Sequence, residues 1–576
     1  MNPTPVTSVP RKISLTFPLF LSLLLFLSSC TPKPNASIIV LNARIWTGVP
    51  GAPFVQALAV AGDTILATGT TNEIRKFAGN DSKVIDAGGK LIIPGFNDAH
   101  IHFLGGSMGL TQVELSATRS AAEVDAFTNK FINENPDAEW ITGRGWQYTF
   151  YPGGLPDHQS MSGIKTDKPL FIRAYDGHSG YANRAALRLA GISKGFRFTG
   201  FGEVVFDKYG EPTGLLKESA MGLVSGRIPP STREQKLNAL RKGLKYIASM
   251  GITSAQNASG SVEDVALFSE LLQKGELTVR YTAAFSADES TDQQLVSELA
   301  AARDSIGTKN NMLRADAIKF AIDGVIESHT GAMIGKYNDL TETDPLVVGQ
   351  LSMDVTGYRN AVALFDKAGF RIYTHAIGDR GVREALNAYE HAASVNGERD
   401  ARHRVEHIET ISPQDLPRFK QLGVMASMEP IHADPATIAV WEKAIGNARL
   451  GYSFAWNSML QNEAALVFSS DWPAAISVNP IRGIHVAVNR RTPEGYPENG
   501  WVPEQKITIE QALRAYTYMG AYSSFEEKIK GTLEKGKLAD FIILSQDLFS
   551  IDPMKIHETK VLYTVLGGKI IYEIQQ

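Results

Sequence analysis

The chain has 576 residues, 43% hydrophobic and 20% charged, with a net charge of −4 and one cysteine. That length exceeds one minimal domain and fits a large domain joined to a smaller one. With no basic block to track phosphates, the charge balance gives no basis for nucleic-acid binding, and a lone cysteine cannot form an internal disulfide.

At the N-terminus, Arg11 and Lys12 precede an apolar run, Ile13 to Leu27, that ends in Leu27-Ser28-Ser29-Cys30. A basic n-region, a short h-region and small residues describe a secretory signal, and the run is too short and Ser-interrupted for a membrane-spanning helix. Its ending resembles the bacterial lipobox. The resemblance implies that residues 1–30 are a lipoprotein signal and that Cys30 becomes the lipidated first residue of a protein anchored in the bacterial cell envelope, facing the periplasm or the cell surface. Residues 31–36 (TPKPNA) then read as a tether.

From Ser37 short strands follow one another: SIIVLNARIWTG, FVQALAVAGDTILATGT and KVIDAGGK, separated by turn residues at Gly48, Gly62-Asp63, Gly69 and Gly88-Gly89. A similar pattern returns in FIILS and VLYTVLGGKIIYE at the C-terminus. Neither piece has enough strands to bury a core alone, so residues 37–90 and 531–576 are expected to form one small β-sandwich.

The middle alternates strands and helices, which predicts a parallel sheet. Candidate strands are LIIPGFNDAHIH, GITSAQNAS from Gly251, VRYTAAF from Val279, RADAIKFAIDG from Arg314, FRIYTHAIGD from Phe370, RVEHIE from Arg404, GVMASMEP from Gly423 and ALVFSSDWP from Ala465. Helical periodicity is clear over Arg380 to Ala393 and Glu510 to Met519. Eight such units predict an α/β fold, a (β/α)8 TIM barrel whose chemistry sits at the C-terminal strand ends. Its first strand is expected over residues 91–103 and the rest of the barrel over 236–530. The connection between the first two strands far exceeds the usual βα loop of about two to six residues. It holds strand-like pieces of its own, so residues 104–235 are expected to form an inserted subdomain standing over the barrel mouth.

The chemistry-bearing residues are scattered in sequence yet converge in such a barrel. His100 and His102 are two apart on a strand, so both imidazoles share one face and can reach one metal ion, with Asp98 on that face too. The fourth strand brings Lys319, the fifth His375, the sixth His407 and the eighth Asp471. In the lysine strand, Ile318, Phe320 and Ile322 share the face suited to helix packing, while Ala317, Lys319, Ala321 and Asp323 share the other. Two arrangements are open to this lysine. It pairs with Asp316 or Asp323, or it is desolvated, loses its proton and takes up carbon dioxide as a carbamate that bridges metals.

The motifs PGFNDAHIH, KFAIDG, THAIGD, RVEHIE and FSSDWP, followed by GTLEKGKLADFIIL, resemble the amidohydrolase superfamily. More narrowly they resemble amidohydrolase family 3, which includes N-substituted formamide deformylases. The resemblance spans roughly Ser37 to Glu573 and implies that His100, His102 and Asp471 hold one divalent metal and that His375 and His407 hold a second. Lys319 falls where some members carry a carboxylated lysine. Whether one or two ions bind stays open, and zinc suits the donors best. The implied activity is hydrolysis of a non-peptide C–N bond in a small molecule (an amide, formamide or cyclic amide) by metal-activated water, with Asp471 moving the proton.

Further substrate-binding candidates are His178 and Arg173 in RAYDGHSGYANRAAL, where Asn183 also resembles a recurrent family stretch, and Glu327 and His329 after the lysine strand. For each, a structural or surface position is an equal alternative. Trp146, Trp472 and Tyr373 are aromatic candidates for pocket walls, with core packing the default. His158, His391, His403 and His557 read as solvated or structural. Two rival functions are an ester, lactone or phosphoester hydrolase using the same site, and a non-catalytic surface binding protein that keeps the fold.

Overall fold

The computed structural model of the protein describes residues 35–151, 155–174, 179–199, 202–307, 310–475 and 477–575. The expected signal segment with Cys30, most of the tether, and His178 lie outside the described residues.

Eight strands lie side by side in chain order: β1 (Phe96–Ile101), β2 (Ile252–Asn257), β3 (Arg280–Ser286), β4 (Leu313–Ala321), β5 (Arg371–Ala376), β6 (Arg404–His407), β7 (Met425–Met428) and β8 (Ala465–Phe468). Every neighbouring pair is parallel. Just past β8 the chain returns to β1, where Asp471 N donates to His100 O and His102 N to Trp472 O, each at 2.8 Å. The sheet thereby closes into a (β/α)8 barrel, and the closing seam lies at the ends where chemistry is expected.

Side-chain alternation in β4 sets inside from outside. Ile318, Phe320 and Ile322 pack outward with Tyr358 and Phe365 of the helix layer, whereas Ala317 faces inward against Ala284 and Tyr373, leaving Lys319 on the inner face. The helix expected over Arg380–Ala393 spans Asp379–Asn396. The one expected over Glu510–Met519 is instead two helices, Ile509–Tyr516 and Tyr518–Ser523. The break falls at Thr517, whose hydroxyl bonds back to Leu513 O at 2.7 Å, the kind of side-chain competition that bends helices.

The two termini meet in a sandwich. A four-stranded sheet from residues 36–86 faces a five-stranded sheet containing Arg44–Ile45, Leu91–Pro94, Phe541–Leu544, Val561–Leu566 and Lys569–Glu573. Val40, Leu58, Val60, Ile92, Phe541 and Val565 fill the space between them. The segment expected as the first barrel strand therefore divides. Leu91–Pro94 pairs with Phe541–Ile543 in the sandwich, and the barrel strand starts at Phe96. Gly95 is the joint, because a Cβ there would stand 2.2 Å from the Thr253 hydroxyl of β2.

Between β1 and β2 lies a separate six-stranded sheet, ordered Gly202–Phe206, Pro212–Glu218, Ser179–Ala182, Leu170–Ala174, Ile141–Trp146 and Val113–Glu114. Leu170 and Ile172 point to one apolar cluster with Trp146 and Tyr151. Phe171 points to a second with Leu187 and Leu216. The insert therefore carries a core on each face of its own sheet.

Candidate metal centre

Six strand-end side chains predicted from the sequence lie around one point at the C-terminal end of the barrel. The rings of His100 and His102 are 5.5 Å apart, those of His100 and His407 4.8 Å, and those of His407 and His375 4.5 Å. Asp471 Oδ1 is 3.1 Å from His102 Nε2 and 3.4 Å from His100 Nε2, and Lys319 Nζ is 3.4 Å from His100 Nε2. Two ligand candidates sit on left-handed backbone, His407 at φ 74° and Asp471 at φ 54°. Non-glycine residues rarely adopt that conformation, and it turns the chain sharply at the strand end.

What holds the imidazoles is as informative as where they lie. His100 Nδ1 is bonded to Glu406 Oε2 at 2.8 Å, His102 Nδ1 to the Ser259 hydroxyl at 2.7 Å, and His407 Nδ1 to Glu429 Oε2 at 2.9 Å. With Nδ1 engaged outward, each Nε2 is left for the centre, the arrangement that orients metal-bound histidines. His375 is reversed: its Nε2 faces Gly324 O at 3.2 Å, so Nδ1 is the free atom. The carboxylates behind the rings are themselves anchored. Glu406 Oε1 accepts from Arg404 at 2.8 Å, and Glu429 Oε1 accepts from Ser469 at 2.8 Å.

The donor set fits a divalent cation. Asp471 Oδ1 is buried and, despite its closeness to two imidazole nitrogens, has no properly angled hydrogen bond among the described residues. Such an atom is costly unless a cation takes it. Burial drives His407 and His375 well below the usual imidazole value, reinforced for His407 by His100 and for His375 by His407, which leaves both in the neutral, metal-binding form near pH 7. Burial alone would raise Asp471, but His100, His102 and His407 hold its carboxyl well below the usual range.

The two aspartates open to Lys319 are both engaged elsewhere. Asp316 is taken by Arg314 at 2.6 Å and Arg371 at 2.5 Å. Asp323 accepts the backbone N–H groups of Ala332, Ile377 and Gly378 at 2.9 to 3.0 Å. Neither aspartate pairs with the lysine, whose ammonium is lowered by burial against the charges of Glu406, Asp471 and Glu429.

A profile described as the amidohydrolase family matches residues 83–572, most of the chain. The chain belongs to the amidohydrolase family. It is 30% identical to the protein LONG AFTER FAR-RED 3 of Arabidopsis thaliana over 563 residues, 95% of this chain and 94% of that protein. It is 24% identical to the N-substituted formamide deformylase of Arthrobacter pascens, covering 93% of this chain and 98% of the deformylase. Among solved structures, an uncharacterized metal-dependent hydrolase from Pyrococcus furiosus superposes with a TM-score of 0.70 at 23% identity, covering 90% of this chain and 100% of that one, which places the fold. Family membership and the clustered donors together support a metal-dependent hydrolase.

The other predicted residues of this amidohydrolase are placed less centrally. Arg173 is exposed on the insert's sheet and lines a cleft of about 1000 Å³ between the insert and the helix Arg233–Ser249, a cleft that includes none of the strand-end histidines. His329 bonds Asp339 at 2.9 Å and packs edge-on against Tyr337, which ties down the loop after β4, while Glu327 in that loop is exposed but within electrostatic reach of Glu409 and His432. Asn183 caps the helix Arg184–Leu189. Trp146 is core of the insert, Tyr373 lies under Arg404 inside the barrel, and Trp472 packs on Phe103 and Tyr246. His158 bonds Tyr181, and His403 bonds Asp366.

Four residues at the centre escaped the sequence reading: Glu406, Glu429, Glu409 and His432. Glu406 directly precedes His407, and Glu429 directly follows β7, so the strand-end rule that found Asp471 points to Glu429 equally well. His432 follows in the short turn Pro430–Ala433, where no periodicity marks it.

Proposed function

We propose that this amidohydrolase is a divalent-metal hydrolase of a non-peptide C–N bond in a small amide, formamide or cyclic amide. The observation that carries the reading is Asp471 Oδ1, buried, with no well-angled hydrogen bond among the described residues, and facing the Nε2 atoms of His100 and His102. A divalent ion there would lower the proton affinity of water and polarise the scissile carbonyl. His100, His102, His375, His407 and Asp471 are the residues to hold one or two such ions, and imidazole with carboxylate favours zinc. Lys319, buried and paired with neither Asp316 nor Asp323, suits a carbamate.

Asp471 handles the proton. It accepts one from the attacking water as the oxygen bonds to the carbonyl carbon, and delivers it to the leaving nitrogen as the C–N bond breaks. His102, with 32% of its side chain exposed, marks the side from which substrate approaches. The deformylase relative supports a C–N bond over an ester. Assay of amine release from N-formyl, N-acyl and cyclic amides, beside lactones and phosphotriesters, tests the reading. Turnover confined to the lactones or phosphotriesters would overturn it.

The sequence Leu27-Ser28-Ser29-Cys30 supports attachment to the bacterial envelope through a lipid on Cys30. Among the described residues no helix is long and apolar enough to cross a membrane. Cys30→Ser should move the protein from the membrane fraction to the soluble one; continued membrane association rejects the lipid.

A further inference from the structure

His432 is built like the histidines that the sequence assigns to the metal, although nothing in the strand-end pattern selects it. Its Nδ1 is bonded to Glu409 Oε1 at 3.2 Å, and Glu409 is fixed in turn by Trp441 Nε1, which donates to Oε2 at 2.7 Å. This outward anchoring by a buried carboxylate matches His100 with Glu406 and His407 with Glu429, and it frees Nε2. That Nε2 stands 3.6 Å from Asp471 Oδ2, the oxygen opposite the one facing His100 and His102. The His432 ring lies parallel to His407, within 5° and 5.8 Å between centroids. His407, Glu429 and His432 each offer a donor atom within 4.8 Å of the others. Donors bound tetrahedrally at about 2.1 Å from one ion stand roughly 3.4 Å apart, so His432 Nε2, 3.6 Å from the Asp471 carboxylate, is close enough to reach an ion held by that residue.

We propose that His432 is a metal ligand through Nε2, joining His407, with Glu409 as the carboxylate that orients it. The inference rests on the metal-centre reading above, and adds a donor supplied by the turn after β7. It gives the two oxygens of Asp471 different surroundings: Oδ1 toward the His100 and His102 pair, Oδ2 toward His432.

The test is cobalt binding by the purified full chain, read by visible absorption and by competition against a chelating dye, with no substrate needed. His432→Gln should lower cobalt affinity by about 100-fold and change the absorption band, and Glu409→Gln should weaken binding by about 10-fold. His391→Gln, on the helix Asp379–Asn396 away from the centre, is the control and should match the unmodified protein. A His432 that only forms an ion pair with Asp471 would leave band and affinity unchanged in His432→Gln, which overturns the proposal while the metal centre stands. An unmodified chain that binds no cobalt overturns the metal-centre reading itself and the proposal with it. Circular dichroism of each variant separates lost ligation from lost fold, and His432→Asn provides a second substitution if the Gln variant does not fold.

Discussion

Asp471 and His102 are joined twice over: Oδ1 of the first lies 3.1 Å from Nε2 of the second, and their neighbours Trp472 and His100 exchange backbone hydrogen bonds with the same two residues at 2.8 Å. The contact that closes the barrel is thus also the contact that builds the centre. Fold and chemistry share one seam, and substitutions near it should separate the two.

Asp471→Asn keeps the backbone closure and nearly the same volume while removing the charge proposed to take the proton. Hydrolysis of whichever amide the panel identifies should fall by about 10²- to 10⁴-fold with the melting temperature nearly unchanged. A rate close to that of the unmodified protein would remove Asp471 from the reaction.

Glu406 stands between His100 and Arg404, both fully buried. Glu406→Gln should reduce metal affinity by about 10- to 100-fold, because His100 loses the carboxylate that orients it. Glu406→Leu leaves the Arg404 guanidinium buried without its carboxylate and should cost about 3–5 kcal/mol in denaturant unfolding. Equal metal affinity in both variants and the unmodified chain would show that His100 needs no such partner.

Gly106 gives way to the ring beside Asp471: a Cβ there would lie 2.3 Å from Trp472. Gly106→Ala should destabilise by about 1–3 kcal/mol through displacement of that ring. A denaturation midpoint equal to that of the unmodified protein would mean that the indole moves without cost.

Far from the centre, Asp366 sets part of the acid stability. Burial would raise its carboxyl, but hydrogen bonds from His403 and Asn396 and the charge of Arg399 bring it down to about 2. A carboxyl depressed in the folded state stabilises above its unfolded value, near 4, and that contribution fades as pH falls through about 2. Asp366→Asn should therefore lose about 2 kcal/mol at pH 6, with the difference shrinking below pH 4. A difference that grows toward low pH would contradict the sign.

Much of this was legible in the chain because strand ends are marked by local pattern. The apolar runs before His100, Lys319, His375 and Asp471 announced both the strands and the polar side chains at or near their ends, and alternation around Lys319 told its inner face from its outer one. The division at Gly95 was hidden, since LIIPGFNDAHIH reads as one strand and only pairing with Phe541–Ile543 splits it. Glu406, Glu429 and Glu409 were hidden for another reason. They act through the histidines they hold, and a buried carboxylate behind an imidazole has no spacing rule of its own. Arg173 illustrates the converse, a cation that suits a substrate carboxylate by chemistry but whose strand in the insert directs it into a different cleft.

The most direct test is the metal content of protein purified without chelator, measured by elemental analysis alongside hydrolysis of the panel amides. The account predicts one to two equivalents of transition metal per chain, with zinc foremost, and a parallel loss of metal and turnover on dialysis against chelator that added zinc reverses. A metal-free chain that hydrolyses its amide undiminished in excess chelator would contradict it.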